Sequence, residues 1–154
     1  DLQHGMGGCR GIDPETLKKI LRLMKPDFEA YSLALLEDDR ILHTSREPGL
    51  RPLLTCLEQF ADHRGCTLHD RVIGLAAARL IAHSRIIRCV VTGVASDPAE
   101  LFLSAEGIDI RSDRTVSNIL TRDRSDVCPG EKIAMETPEM QPFLEKIHAL
   151  TGKS

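Results

Sequence analysis

The chain has 154 residues, 42% of them hydrophobic and 28% charged, with a formal net charge of −3 and a pI near 6.1. That length and composition fit one globular domain with an aliphatic core, since Trp is absent and Tyr31 is the only tyrosine. The acidic balance excludes the Lys/Arg excess on which nucleic-acid binding normally rests, and no apolar run is long enough to span a bilayer.

In chain order, residues 1–12 show no signal peptide, with no hydrophobic region behind a basic one. They are expected to be a disordered or tag-derived N-terminus, with Met6 as a natural start, ahead of a single domain over residues 13–152. Asp13-Pro14-Glu15 is a helix start: an N-cap, a proline at the first helical position and an acid in the first turn. Leu17, Ile20, Leu21 and Met24 then recur at helical spacing, and Pro26 stops the helix. Tyr31 to Glu37 and Arg40 to Thr44 predict a β-hairpin around Asp38-Asp39. A helix opens at Pro52 with Leu53, Leu57, Phe60 and Ala61 on one face.

Cys66 to His69 predicts a short strand, and Asp70 the cap of a helix burying Val72, Ile73, Ala76, Ala77, Leu80 and Ile81. Ile86 to Val91 predicts a central strand. Asp97-Pro98 begins another helix, and Ile108 to Arg111 a further strand. The last two helices are expected from Pro129 and from Thr137-Pro138. Alternating strands and helices imply an α/β fold, with the sheet covered on both faces and mostly parallel after the hairpin. Ligands in such folds collect where strand ends meet helix N-termini, which points to loops 45–51 and 69–74.

Cys9, Cys56, Cys66, Cys89 and Cys128 are odd in number and widely spaced, with no Cys-x-x-Cys. Reduced thiols in a cytoplasmic protein are expected, not a disulfide framework.

Three segments carry a resemblance. They are Ser45-Arg46-Glu47-Pro48-Gly49-Leu50-Arg51-Pro52-Leu53-Leu54, Asp70-Arg71-Val72-Ile73-Gly74-Leu75-Ala76-Ala77-Ala78, and Arg122-Asp123-Arg124-Ser125-Asp126-Val127-Cys128-Pro129-Gly130-Glu131-Lys132. Over residues 27 to 150 the chain resembles the family called domain of unknown function 1893, and its element order looks like the cytidine-deaminase-like fold. The resemblance implies a three-layer α/β/α sandwich with a mixed five-stranded sheet, and no known reaction. The chain departs from the family pattern at Thr121, where Asn is usual, at Arg71, where Lys is common, and at Arg124, where Gly is usual.

A zinc deaminase needs His or Cys two residues before a catalytic Glu, and a Pro-Cys-x-x-Cys pair. No His precedes a Glu in that way. Cys56-Leu57-Glu58 lies inside a helix, and no second thiol pair exists. The six histidines form no metal spacing. No metal and no cofactor are therefore expected.

The polar groups that remain each admit two readings. Cys128, before Pro129, would sit at a helix N-terminus that favours its thiolate, helped by Lys132. Alternatively it is a buried helix start, with Glu131 reaching back as in a capping box. Asp70 is either a helix cap or a carboxylate at a pocket mouth. Gly74 allows close helix–sheet packing or a ligand's approach. Arg46 and Arg51 flank Pro48-Gly49 before a helix start, which suits a phosphate or carboxylate; alternatively an arginine pairs with Glu47. Arg122, Asp123, Ser125 and Asp126 form a polar loop that is solvated or folds over the pocket mouth, with Asp123 or Asp126 on Arg51 or Arg71.

The leading expectation is a non-zinc domain binding a small anionic or nucleotide-like ligand through Arg46, Gly49, Arg51, Asp70, Arg71, Gly74, Asp123, Asp126, Glu131 and Lys132. The alternatives are an enzyme with Cys128 as nucleophile and a structural protein that forms a homodimer.

Overall fold

The computed structural model describes residues 11–121 and 123–152. Residues 1–10, including Met6, and Arg122 lie outside the described residues. The elements are α1 (Pro14–Met24), β1 (Leu33–Glu37), β2 (Arg40–Ser45), α2 (Arg51–Gln59), β3 (Cys66–Ile73), α3 (Leu75–Ser84), β4 (Ile87–Ser96), α4 (Asp97–Ala105), β5 (Asp109–Val116), α5 (Pro129–Glu136) and α6 (Met140–Thr151).

β1 and β2 form the expected antiparallel hairpin, with Asp38 at φ +55 in its turn. Asp is among the few residues other than Gly that visit this region readily. β1 pairs antiparallel with β3, while β3, β4 and β5 run parallel, giving a mixed five-stranded sheet in the order β2-β1-β3-β4-β5. This is the α/β architecture expected from the alternation of elements. The middle strand is β3; β4 is also interior, with β5 at the edge.

Successive residues of β1 serve opposite faces, as the strand period demands. Leu33 and Leu35 join a core with α2, α3, α4, α5 and α6, built on Leu53, Cys56, Ile81, Leu103, Phe143 and Ile147 among others. Ala34 and Leu36 point the other way, into a small cluster with Tyr31, Leu23 and Phe28. The three layers are therefore unequal: on the second face the cluster is closed by Leu23 of α1 with Phe28 and Tyr31 from the loop that follows, and no residue of α1 is buried.

A buried polar relay ties α1 to the sheet. His69 Nε2 lies 2.6 Å from the Leu23 carbonyl, which can only accept, so this nitrogen carries the proton. Nδ1 then accepts from the Tyr31 hydroxyl at 2.8 Å, and that hydroxyl accepts from the Asp27 N–H at 3.1 Å. Burial lowers the His69 pKa and keeps the ring neutral.

Two element starts differ from the sequence reading. β3 continues through Asp70 to Ile73, and the helix begins only after Gly74, its N-cap. Val72 and Ile73 keep sheet register with Val94 and Ala95, and β-branched residues suit that setting better than a first helical turn. Asp70 is therefore not a helix cap. The final helix starts at Met140, not at Thr137-Pro138. The Thr137 and Pro138 carbonyls are instead held by the Arg79 guanidinium at 2.7 and 3.0 Å.

Candidate functional site

The loop before α2, the end of β3, the start of α3, the start of α5 and the end of α6 enclose a cavity of about 640 Å³. That volume is in the ordinary range for small-molecule sites. Of the residues singled out in the sequence, Arg46, Gly49, Arg51, Asp70, Arg71, Gly74, Cys128 and Glu131 line it, while Asp123, Asp126 and Lys132 do not. Sequence reasoning missed the apolar wall of Leu50, Val72, Ala77, Ile119 and Leu150. Nothing local marks those residues, because Ile119 and Leu150 arrive from distant segments.

Two helix N-termini open here, and they differ. At α3 the Glu131 carboxylate accepts from the Leu75 N–H at 2.6 Å and the Ala76 N–H at 2.9 Å. Glu131 thus caps a helix more than fifty residues away; it does not close a capping box on its own backbone. It is 5% exposed, so its charge is held by the positive end of α3. Gly74 makes this possible: a Cβ there would stand 2.4 Å from the Glu131 carboxyl. The absent side chain thus makes room for the Glu131 carboxylate.

At α2 the N-cap is Leu50, and no side chain caps the helix. The preceding Gly49 takes φ +88, which directs the chain into α2 and which a side chain would resist. Arg51 opens the helix with its side chain 60% exposed, and among the described residues its ion-pair partner is Glu47 at 3.9 Å. A pair this long and this exposed contributes little and yields easily.

Arg46 donates to the Ala30 carbonyl at 3.0 Å and the Glu29 carbonyl at 3.4 Å, and Arg71 donates to the Phe28 carbonyl. Both guanidinium groups are anchored to backbone, and among the described residues neither makes an ion pair with a carboxylate. Asp70 is half-buried in β3 and lines the cavity. Burial pushes its carboxyl up to about 8, against the opposing pull of the Val72 and Arg71 N–H groups.

Cys128 is the N-cap of α5, as expected, and is half-buried. The cation expected to help it is engaged elsewhere: the Lys132 ammonium is 2.5 Å from Asp126. No histidine lines the cavity among the described residues.

Among the described residues of the polar loop, the carboxylates find partners close by. Asp123 accepts from Thr121 Oγ1 and from the Ser125 N–H and hydroxyl, which brings its pKa down to about 2. The pairing of Asp123 or Asp126 with Arg51 or Arg71 is not formed.

The sequence profile of the family described as "Domain of unknown function (DUF1893)" matches residues 20–150. The chain belongs to this family. A crystal structure of a DUF1893 family protein from Thermotoga maritima is similar to it with a TM-score of 0.74 at 21% identity, covering 90% of this chain and 91% of that one. At that identity the likeness shows the shared DUF1893 fold. No protein among the curated ones matches the chain. No helix among the described residues is long and apolar enough to cross a membrane.

For a deaminase-type zinc, the donor set at the cavity does not fit. The lining residues that offer metal donors are Glu47, Asp70, Cys128 and Glu131. Of these, Glu131 is committed to α3, and the remaining donors are two carboxylates and a single thiol with no imidazole, so no soft trio converges there.

Proposed function

We propose that this DUF1893 domain is a binding module for a small ligand with an anionic group and a partly apolar, nucleotide-like body. The observation that carries the reading is the contrast between the two helix starts. α3 is neutralised from within by Glu131, whereas α2 presents an uncapped N-terminus beside the exposed Arg51. A phosphate or carboxylate placed at α2 would meet backbone N–H groups and Arg51, with Arg46 and Arg71 adding to the field. The body of the ligand would lie against Leu50, Val72, Ile119 and Leu150. Below pH 8 Asp70 keeps its proton, so it donates as well as accepts, which suits the mixed edge of a nucleobase, and it does not repel the anion. The element order, a hairpin followed by alternating helices and strands, supports a deaminase-like classification of the architecture without zinc chemistry.

The test is a thermal-shift series with inorganic phosphate, pyrophosphate, nucleosides and nucleoside monophosphates on wild type and Arg51→Ala. At ten times the Kd, binding adds about 1.4 kcal/mol, or about 3–6 °C for a domain of this size. The reading requires the shift to need both anion and base, and to vanish in Arg51→Ala. It fails if no probe shifts the wild type, or if the variant responds equally.

A further inference from the structure

We infer that Glu37, His63 and Cys66 form a zinc-binding site at the end of the sheet opposite the cavity. The three come from different places. Glu37 ends β1, Cys66 begins β3, and His63 lies in the turn that joins α2 to β3. In the β1–β3 ladder Leu36 opposes Thr67, and one further step sets Glu37 against Cys66, on the same face of the sheet. His63 is held over this pair by a backbone bond from its N–H to the Phe60 carbonyl at 3.0 Å and by edge packing on the Phe60 ring at 5.4 Å.

The ligand atoms of the three residues all lie within 4.8 Å of one another, the one such trio among the described residues. His63 Nδ1 and Glu37 Oε2 are 3.4 Å apart. That is long for a charge-assisted hydrogen bond, which prefers about 2.7–2.9 Å. It is close to the separation of about 3.3–3.6 Å between neighbouring donors around a tetrahedral zinc with bonds of about 2.0–2.3 Å. An ion pair alone accounts for the His63–Glu37 contact. What it does not account for is the Cys66 sulfur within 4.8 Å of both, its only other polar contact among the described residues being the Arg64 carbonyl at a long 3.9 Å.

Thiolate, imidazole and carboxylate together select zinc over magnesium or calcium, which take oxygen donors alone. Cys66 is fully buried, so its sulfur is fixed by the core, while the Glu37 and His63 side chains are 36% and 34% exposed. The site is thus anchored from inside and open to solvent on one side, where a water would complete four-coordination. Arg40 pairs with Glu37 Oε1 at 3.5 Å and leaves Oε2 to the metal. On binding, the Cys66 S–H bond is exchanged for an S–Zn bond, and the proton leaves to solvent. The product is a clip joining the hairpin, the α2–β3 turn and the middle strand.

The experiment is a Zn²⁺ titration of the full, chelator-stripped chain against a competing chromophoric chelator, repeated with Co²⁺ for its absorption spectrum. The expected result is one Zn²⁺ per chain and a cobalt spectrum with a thiolate charge-transfer band. Glu37→Gln, His63→Gln and Cys66→Ser should each weaken binding at least tenfold, while Cys128→Ser and Arg51→Ala should not. Circular dichroism checks folding, and the half-exposed His63→Gln keeps the test sound if Cys66→Ser misfolds. The inference is overturned if the wild type takes up no stoichiometric zinc, if the cobalt form lacks the thiolate band, or if His63→Gln binds as the wild type does.

Discussion

Replacing Asp70 by Asn gives the most direct reading of the cavity's electrostatics. In the folded chain, burial raises the Asp70 carboxyl from its ordinary 3.8 to about 8. Between those values the folded state keeps a proton that the unfolded state has released. The associated stability is present in full below about pH 4, is lost as pH rises, and is exhausted above about pH 8. Each pH unit in that window removes about 1.4 kcal/mol, and the whole interval about 6 kcal/mol as an upper figure. Asn has nearly the same shape and no proton to lose. Urea unfolding of both proteins at half-unit steps from pH 5 to 9 isolates the effect, because groups common to both cancel in the difference. His69 is one of these: its lowered pKa makes stability fall in the opposite direction, as pH drops below 6.5. The advantage of Asp70→Asn over wild type should grow by about 2–3 kcal/mol from pH 5 to pH 7 and level off above pH 8. A difference that stays flat across the range would falsify the account, since Asp70 would then titrate as a solvated carboxylate. Anion affinity provides a second arm: it should decline above pH 8 in wild type and hold steady in Asp70→Asn.

Gly74→Ala should drive the Glu131 carboxylate off the α3 N-terminus and lower stability by about 2–4 kcal/mol in urea unfolding. Arg124 sits at φ +63, so Arg124→Gly should raise stability by about 0.5–1 kcal/mol, read as a higher denaturation midpoint with unchanged m-value. Tyr31→Phe leaves His69 Nδ1 without a donor and the Asp27 N–H without its acceptor, with an expected loss of about 1–3 kcal/mol by the same measurement. Arg79→Ala strips three backbone carbonyls of their donor and Phe143 of the guanidinium over its ring. It should cost about 3 kcal/mol or more, and a smaller loss would mean that water replaces the side chain.

The hairpin was legible because strand periodicity and the Asp38-Asp39 turn agree, and α1 and α5 because Asp13-Pro14 and Cys128-Pro129 are local signals. The α3 start was not. Val72 and Ile73 fit both a helical face and a strand end, and only pairing with β4 decides between them. The cavity's position followed from strand ends and helix starts, so Arg46, Arg51, Asp70 and Arg71 were found together. The partners of its charges were not legible. Glu131 reads as a cap for its own helix, yet it serves a helix brought alongside by the tertiary fold. Lys132 reads as a neighbour of Cys128, yet it turns outward to Asp126. The trio of Glu37, His63 and Cys66 was invisible for the same reason, since Glu37 is far from the other two along the chain.

Glu131 and Arg79 are the reason the proposed anion site is placed at α2 and not at α3. Both side chains are buried, at 5% and 6% exposure, and among the described residues neither makes an ion pair. Each is held by backbone instead. Glu131, from the first turn of α5, meets the N-terminal N–H groups of α3. Arg79, from α3, meets the Ala134, Thr137 and Pro138 carbonyls at and beyond the C-terminal end of α5. Each helix supplies the charge that the other's terminus attracts, so two isolated charges are kept in the core without an ion pair. The arrangement locks α5 against α3 and uses up the positive end of α3. A ligand's anion cannot reach it without displacing Glu131 and leaving that carboxylate buried and unpaired. Displacing Glu47 from Arg51 at the half-open α2 loop has no comparable penalty. The proposed anion site is therefore at α2, since a ligand that displaced Glu131 instead would have to unlock α5 from α3 as it bound.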